Sequence, residues 1–157
     1  MPNYASAERP GWKANDTLFA LFPGVVDCVM MNGIADSELL ESINERLTSR
    51  LTNLMEALYG AGARNFLLLN VPPLERTSQL ADGEVAANIR VKYKSDVGTY
   101  NKRIEDVAKG LKTRRGDANV FVTDTYSLFN KALDNPKSFE TTNGILNTTT
   151  PCESYAE

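Results

Sequence analysis

Two short apolar runs, each closed by proline and separated by a long amphipathic stripe, constrain the fold of this chain more than any other feature. Thr17-Leu18-Phe19-Ala20-Leu21-Phe22 ends at Pro23-Gly24, and Arg64-Asn65-Phe66-Leu67-Leu68-Leu69-Asn70-Val71 ends at Pro72-Pro73. Runs this short and this continuous fit strands buried on both faces, and proline stops them because it brings no N–H to a ladder. Between them, from Asp36 to Tyr59, Leu39, Leu40, Ile43, Leu47, Leu51, Leu54, Met55 and Leu58 recur at three- and four-residue steps, with Asp36 or Ser37 placed to cap a helix. Strand, helix, strand is a βαβ unit.

The pattern then repeats. Ile89, Tyr93, Val97, Tyr100, Ile104, Val107 and Leu111 form one stripe between Val85 and Leu111. Gly98 inside it is expected to weaken the helix by about 1 kcal/mol relative to alanine. A third strand, Asn119-Val120-Phe121-Val122-Thr123, leads into a short helix from Thr125 to Leu133, with Ser127 read as its capping residue. Such alternation predicts an α/β fold with a parallel sheet, right-handed crossovers and helices packed on its faces. Ligands in these folds bind beyond the carboxyl ends of the strands, so Gly24 to Cys28, Asn70 to Pro73 and Asp124 to Ser127 are expected to share one rim. A single domain is expected over residues 1–157: an irregular arm at 1–16, a core at 17–135 and a polar tail at 136–157.

Composition narrows the partners. A formal net charge of −3 offers no footprint for a phosphate backbone, so no nucleic-acid partner is expected. The basic stretch Lys109 to Arg115 falls at a helix end, where cations complement the macrodipole. No apolar run reaches the roughly 18 residues that span a bilayer, and Met1-Pro2-Asn3-Tyr4 does not open a signal peptide. No membrane partner is expected, and the chain as encoded reads as cytoplasmic. With two cysteines and no histidine, neither a metal site nor any cofactor is expected.

The strand edges resemble those of the GDSL, or SGNH, ester hydrolases, and most closely the fungal carbohydrate esterases of family 16. Trp12-Lys13-Ala14-Asn15-Asp16-Thr17-Leu18-Phe19-Ala20 is similar to that family's lead into a central strand. Gly24-Val25-Val26-Asp27 takes the place of its G-x-N-D block, and Asn70-Val71-Pro72-Pro73 resembles its N-x-P-P strand end. Tyr100-Asn101, Asp124-Thr125-Tyr126-Ser127-Leu128-Phe129 and Pro151-Cys152 fit as well. The resemblance implies a partial doubly wound, flavodoxin-like sheet and removal of acetyl groups from sugars by a serine nucleophile, with acetylated carbohydrate as substrate and secretion as the family's habit.

The departures concern the chemistry. The family's nucleophile lies in a G-D-S block and its base in a D-x-x-H block, and neither occurs in these residues. Val26 stands where the G-x-N-D asparagine would donate to the oxyanion. No catalytic residue is therefore carried over. Gly24 and Asp27 remain from the oxyanion motif, with Asp27 read as loop structure, and Cys28, Asn70 and Asp124 mark the rim. The chain is expected to be a fragment or degenerate acetylesterase, inactive by itself, with an uncovered sheet edge prone to self-association. Coding sequence on either side that supplies the two blocks is a second account of the same pattern.

Other chemistries read more simply as structure. A Ser–Lys pair from Lys94-Ser95 is disfavoured because sequence neighbours on a helix point apart, one from Ser127 with Lys131 because Ser127 reads more simply as a cap, and Glu105-Asp106 and Asp134 belong to solvated faces. Cys28 reads as a buried, inert thiol, and Cys152 as either free or paired with it. The rival function is a non-catalytic carbohydrate-binding or interaction module, with Tyr4, Trp12, Tyr126 and Tyr155 available to stack on sugars. Asn15-Asp16-Thr17 and Asn147-Thr148-Thr149 match the glycosylation sequon, the first set beside a buried strand and the second in the polar tail.

Overall fold

The computed structural model of the chain describes residues 11–77, 80 and 83–150, so Tyr4, Cys152 and Tyr155 lie outside the described residues. Strands β1 (Leu18–Leu21), β2 (Asn65–Leu69) and β3 (Asn119–Thr123) form a parallel sheet in the order β1-β2-β3. Helices α1 (Val25–Met31), α2 (Ser37–Gly60), α3 (Glu84–Arg114) and α4 (Thr125–Asp134) alternate with them. The α/β class, the parallel pairing and the two βαβ units are as the sequence predicts.

Each boundary has a local cause. Asp36 is the cap of α2, its carboxylate accepting from the backbone N–H groups of Glu38 and Leu39 at 2.9 and 3.0 Å. Gly98 leaves α3 unbroken and faces open space on its outer surface, where the glycine disturbs no packing. Ser127 is not the cap of α4. That role belongs to Asp124, whose Oδ1 accepts from the Ser127 N–H at 3.1 Å, because the helix begins at Thr125 and Ser127 already lies inside it. The basic stretch closing α3 also ties it to α2: Arg114 and Arg115 donate to the two Glu56 oxygens at 2.8 and 3.0 Å.

Both crossovers step the same way across the sheet, and right-handed connections then place their helices on the same face. Leu51 and Met55 of α2 and Ile104, Val107 and Leu111 of α3 accordingly join Phe66 and Leu68 in one core. Among the described residues the apolar strands are thus covered on one side only, which corrects the expectation of burial on both faces. β2 alternates half-buried and buried positions along its length. On the other face Ala20, Leu67 and Phe121 lie abreast in the register, with Phe121 55% and neighbouring Leu18 52% exposed. An apolar run records strand residues on both sides, but not whether a second layer is present to cover them.

Candidate active site

The carboxyl ends of the three strands form one rim, as the parallel topology requires. Its β2–β3 side is built on amides. Beyond the last ladder residue of β2, the Asn70 backbone N–H still donates to the Thr123 carbonyl at 3.2 Å. The Asn70 side chain then crosses to the start of α4: its Nδ2 donates to Asp124 Oδ1 at 3.1 Å, while its Oδ1 accepts from Thr125 Oγ1 at 2.8 Å and from the Tyr126 N–H at 3.0 Å. Thr125 Oγ1 also donates to the Asn70 carbonyl. Hydrogen bonds from Ser127, side chain and then backbone, hold the Asp124 carboxyl below the usual aspartate range, with Asn70 and the Tyr126 backbone adding to the effect against the cost of burial.

One residue further, Pro72 ends the ladder and leaves both backbone groups of Val71 without a strand partner. Asn101 of α3 supplies them: the Val71 N–H donates to Asn101 Oδ1 at 2.7 Å and Asn101 Nδ2 donates to the Val71 carbonyl at 2.9 Å. Asn101, known from the sequence only as part of the Tyr100-Asn101 resemblance, is therefore a structural keystone of the rim. An amide between Tyr100 and Ile104 on a buried stripe is the signal that exposes it, since a buried amide requires partners and the nearest unpaired backbone follows β2.

The β1 side is fastened by shape instead. Phe22-Pro23-Gly24 turns at Gly24, whose φ of 104° is left-handed, and α1 starts at once. The segment from Gly24 to Cys28 is thus mostly helix, and Asp27 sits in the first turn of α1 rather than in a loop. A Cβ at Gly24 would stand 2.2 Å from Tyr100 Cε1 and 2.8 Å from Val71 Cγ2, so this backbone touches the same α3 and β2 residues that flank the Asn101 clamp. Val26, which the motif resemblance sets against the G-x-N-D asparagine, is 72% exposed and its side chain carries no donor. Cys28 is a free thiol with no exposure, on the buried face of α1 and not on the open rim. Burial pushes that thiol up to about 12, with the Asp96 and Asp27 charges adding, so it stays protonated and unreactive.

Asn70 and Asp124 are brought together with Asn101 along an open groove of about 580 Å³, whose α3 wall carries Lys94, Lys102 and Glu105. Among the carboxylates, Glu105 pairs with Lys109 at 3.2 Å, Asp106 with Lys102 at 3.1 Å and Asp134 with Arg76 at 2.6 Å. Ser127 and Lys131 line one shallow pocket on α4, with Lys131 Nζ 5.3 Å above the Phe139 ring. Trp12 packs edge-on against Phe19 with centroids 5.1 Å apart, and Tyr126, whose hydroxyl donates to Glu75, lines the groove beside Asn70 and Asp124.

A parallel sheet with its polar apparatus beyond the strand ends, ordered Gly-x-x-Asp, Asn-x-Pro-Pro and Asp-Thr, defines an α/β domain of the ester-hydrolase class. The chain belongs to the GDSL-like lipase/acylhydrolase family, whose model matches residues 14–156. An acetylesterase from Thermothelomyces thermophilus is 34% identical over 140 residues, covering 88% of this chain and 43% of the relative. The chain therefore spans less than half the length of that curated relative.

Proposed function

We propose that these residues form the scaffold portion of a carbohydrate acetylesterase and that the 157-residue chain alone does not hydrolyse acetyl esters. The observation that carries the reading is Val26, exposed and apolar where the motif calls for an N–H donor. Acyl transfer through a serine needs a donor aimed at the developing oxyanion, and the loss of one costs about 10²- to 10³-fold in rate. It also needs a base, and the sequence holds no histidine. The rim keeps what shapes a site, namely the Asn70–Asp124–Thr125 network and the Asn101 clamp, and the groove beside them offers donors and acceptors in the mixture that sugar hydroxyls take up.

Incubation of the purified chain with p-nitrophenyl acetate and with acetylated xylo-oligosaccharides tests the proposal. Release of acetate at the buffer rate is expected. Turnover that survives repurification and is abolished by one substitution in this chain would refute it. The relative's name supplies the acetyl-ester substrate class, and the sugar acceptor comes from the resemblance of the strand-end motifs.

A further inference from the structure

Two sequons stand in this chain, and the structure treats them differently. Asn15-Asp16-Thr17 lies on the doorstep of β1. There the Thr17 hydroxyl is taken up by Asp16 Oδ1 at 2.9 Å, and Asn65 Nδ2 clamps the backbone on both sides, donating to the Ala14 carbonyl at 2.7 Å and to that of Thr17 at 3.2 Å. Asn147-Thr148-Thr149 follows the last helical turn, outside every strand and helix, with Asn147 and Thr149 both exposed. Its local fold is a tight turn built on the asparagine itself: Asn147 Oδ1 accepts from the Thr149 N–H at 2.8 Å, from Thr149 Oγ1 at 2.9 Å and from the Thr150 N–H at 3.2 Å. The Thr148 hydroxyl anchors this turn to the Leu133 carbonyl at 3.0 Å.

We infer that, when the protein is carried into the secretory pathway by a longer precursor, Asn147 is an acceptor for an N-linked glycan and Asn15 is not. At Asn147 the oxygen carries the turn, the hydroxyl required two positions on is already gathered to the same amide, and the nitrogen keeps a proton beyond the one given to Thr150 Oγ1 at 2.5 Å. The reaction joins Asn147 Nδ2 to the anomeric carbon of a lipid-linked oligosaccharide. The anomeric C–O bond to the lipid pyrophosphate breaks with its electron pair, and the amide nitrogen gives up one proton to the transferase. At Asn15 the acidic middle residue competes for the threonine hydroxyl, and folding of β1 draws the segment against Asn65.

The test is translation of the full chain behind a cleavable secretory leader, in the presence of endoplasmic-reticulum microsomes, scoring only chains protected from added protease. One endoglycosidase-sensitive mobility shift is expected. It should vanish in Asn147→Gln and in Thr149→Ala and persist in Asn15→Gln. A protected but unshifted chain, a shift that survives Asn147→Gln, or one that disappears in Asn15→Gln would overturn the inference.

Discussion

The two sides of the rim are fastened by opposite means. Between β2 and β3, Asn70, Asn101, Asp124 and Thr125 exchange hydrogen bonds that leave the Val71 backbone fully paired; at β1, Gly24 is wedged against Tyr100 and Val71 with no side-chain hydrogen bond capping α1. The polar side is held by paired amides and a carboxylate, whereas the β1 side presents an exposed valine, Val26, in the first turn of α1. The Asn70 and Asn101 networks satisfy backbone groups that the sheet leaves unpaired, so the polar strand end has a reason in stability whatever chemistry the site carries.

The contrast makes graded predictions. Asn101→Ala should have the largest effect, because it strands a buried N–H and a buried carbonyl at Val71 together; at about 1–3 kcal/mol for each unsatisfied group, a loss of about 4 kcal/mol is expected in a urea melt. A loss below 1 kcal/mol would mean that the clamp is replaceable. Gly24→Ala comes next, at about 3 kcal/mol, since the new Cβ meets Tyr100 and an alanine at positive φ is strained. Tyr100→Ala made in the same chain should relieve the Tyr100 clash and leave the Val71 contact and the backbone strain, so the double mutant isolates the Tyr100 part.

Smaller effects probe the acid side. The Asp124 carboxyl titrates below its unfolded value, so its contribution is complete above about pH 4, the ordinary aspartate value, and is lost as pH falls through the lower folded value. Asp124→Asn keeps a capping oxygen. Its stability at pH 7 should fall below the parent's by the charge-dependent part of the cap, and its melts should lose less between pH 4 and pH 2; identical acid limbs would sink the assignment. Val26→Asn should change least: stability within about 0.5 kcal/mol, as for other exposed substitutions, and ester turnover still at the buffer rate because a donor without a nucleophile and base has nothing to stabilise.

Much of this was legible in the sequence. The span of β3 is as read, and α2 and α3 fall within a few residues of their stripes because periodic burial is a strong signal. β2 was read through Val71 but ends at Leu69, since apolar residues continue past the point where a side-chain amide replaces the next strand. The helix α1 was not foreseen: Val25 to Met31 is short and nearly all apolar, so it carries no helical alternation. Of the site, Asn70 and Asp124 emerged because they follow strands, whereas the Asn101 clamp and the exclusion of Cys28 from the open rim depend on which helix lies over which strand end. That is tertiary information, and no local pattern encodes it.

The one-sided sheet has a consequence for handling. With helices on one flank and the Ala20–Leu67–Phe121 row on the other, the described residues form an amphiphilic layer. Such a layer collects at boundaries: air bubbles, plastic walls and chromatography resins should deplete it from dilute solution, and each captured molecule should lie with its helices toward the water. Adsorption would then present the strand ends sideways, in a common orientation, without any engineered tag.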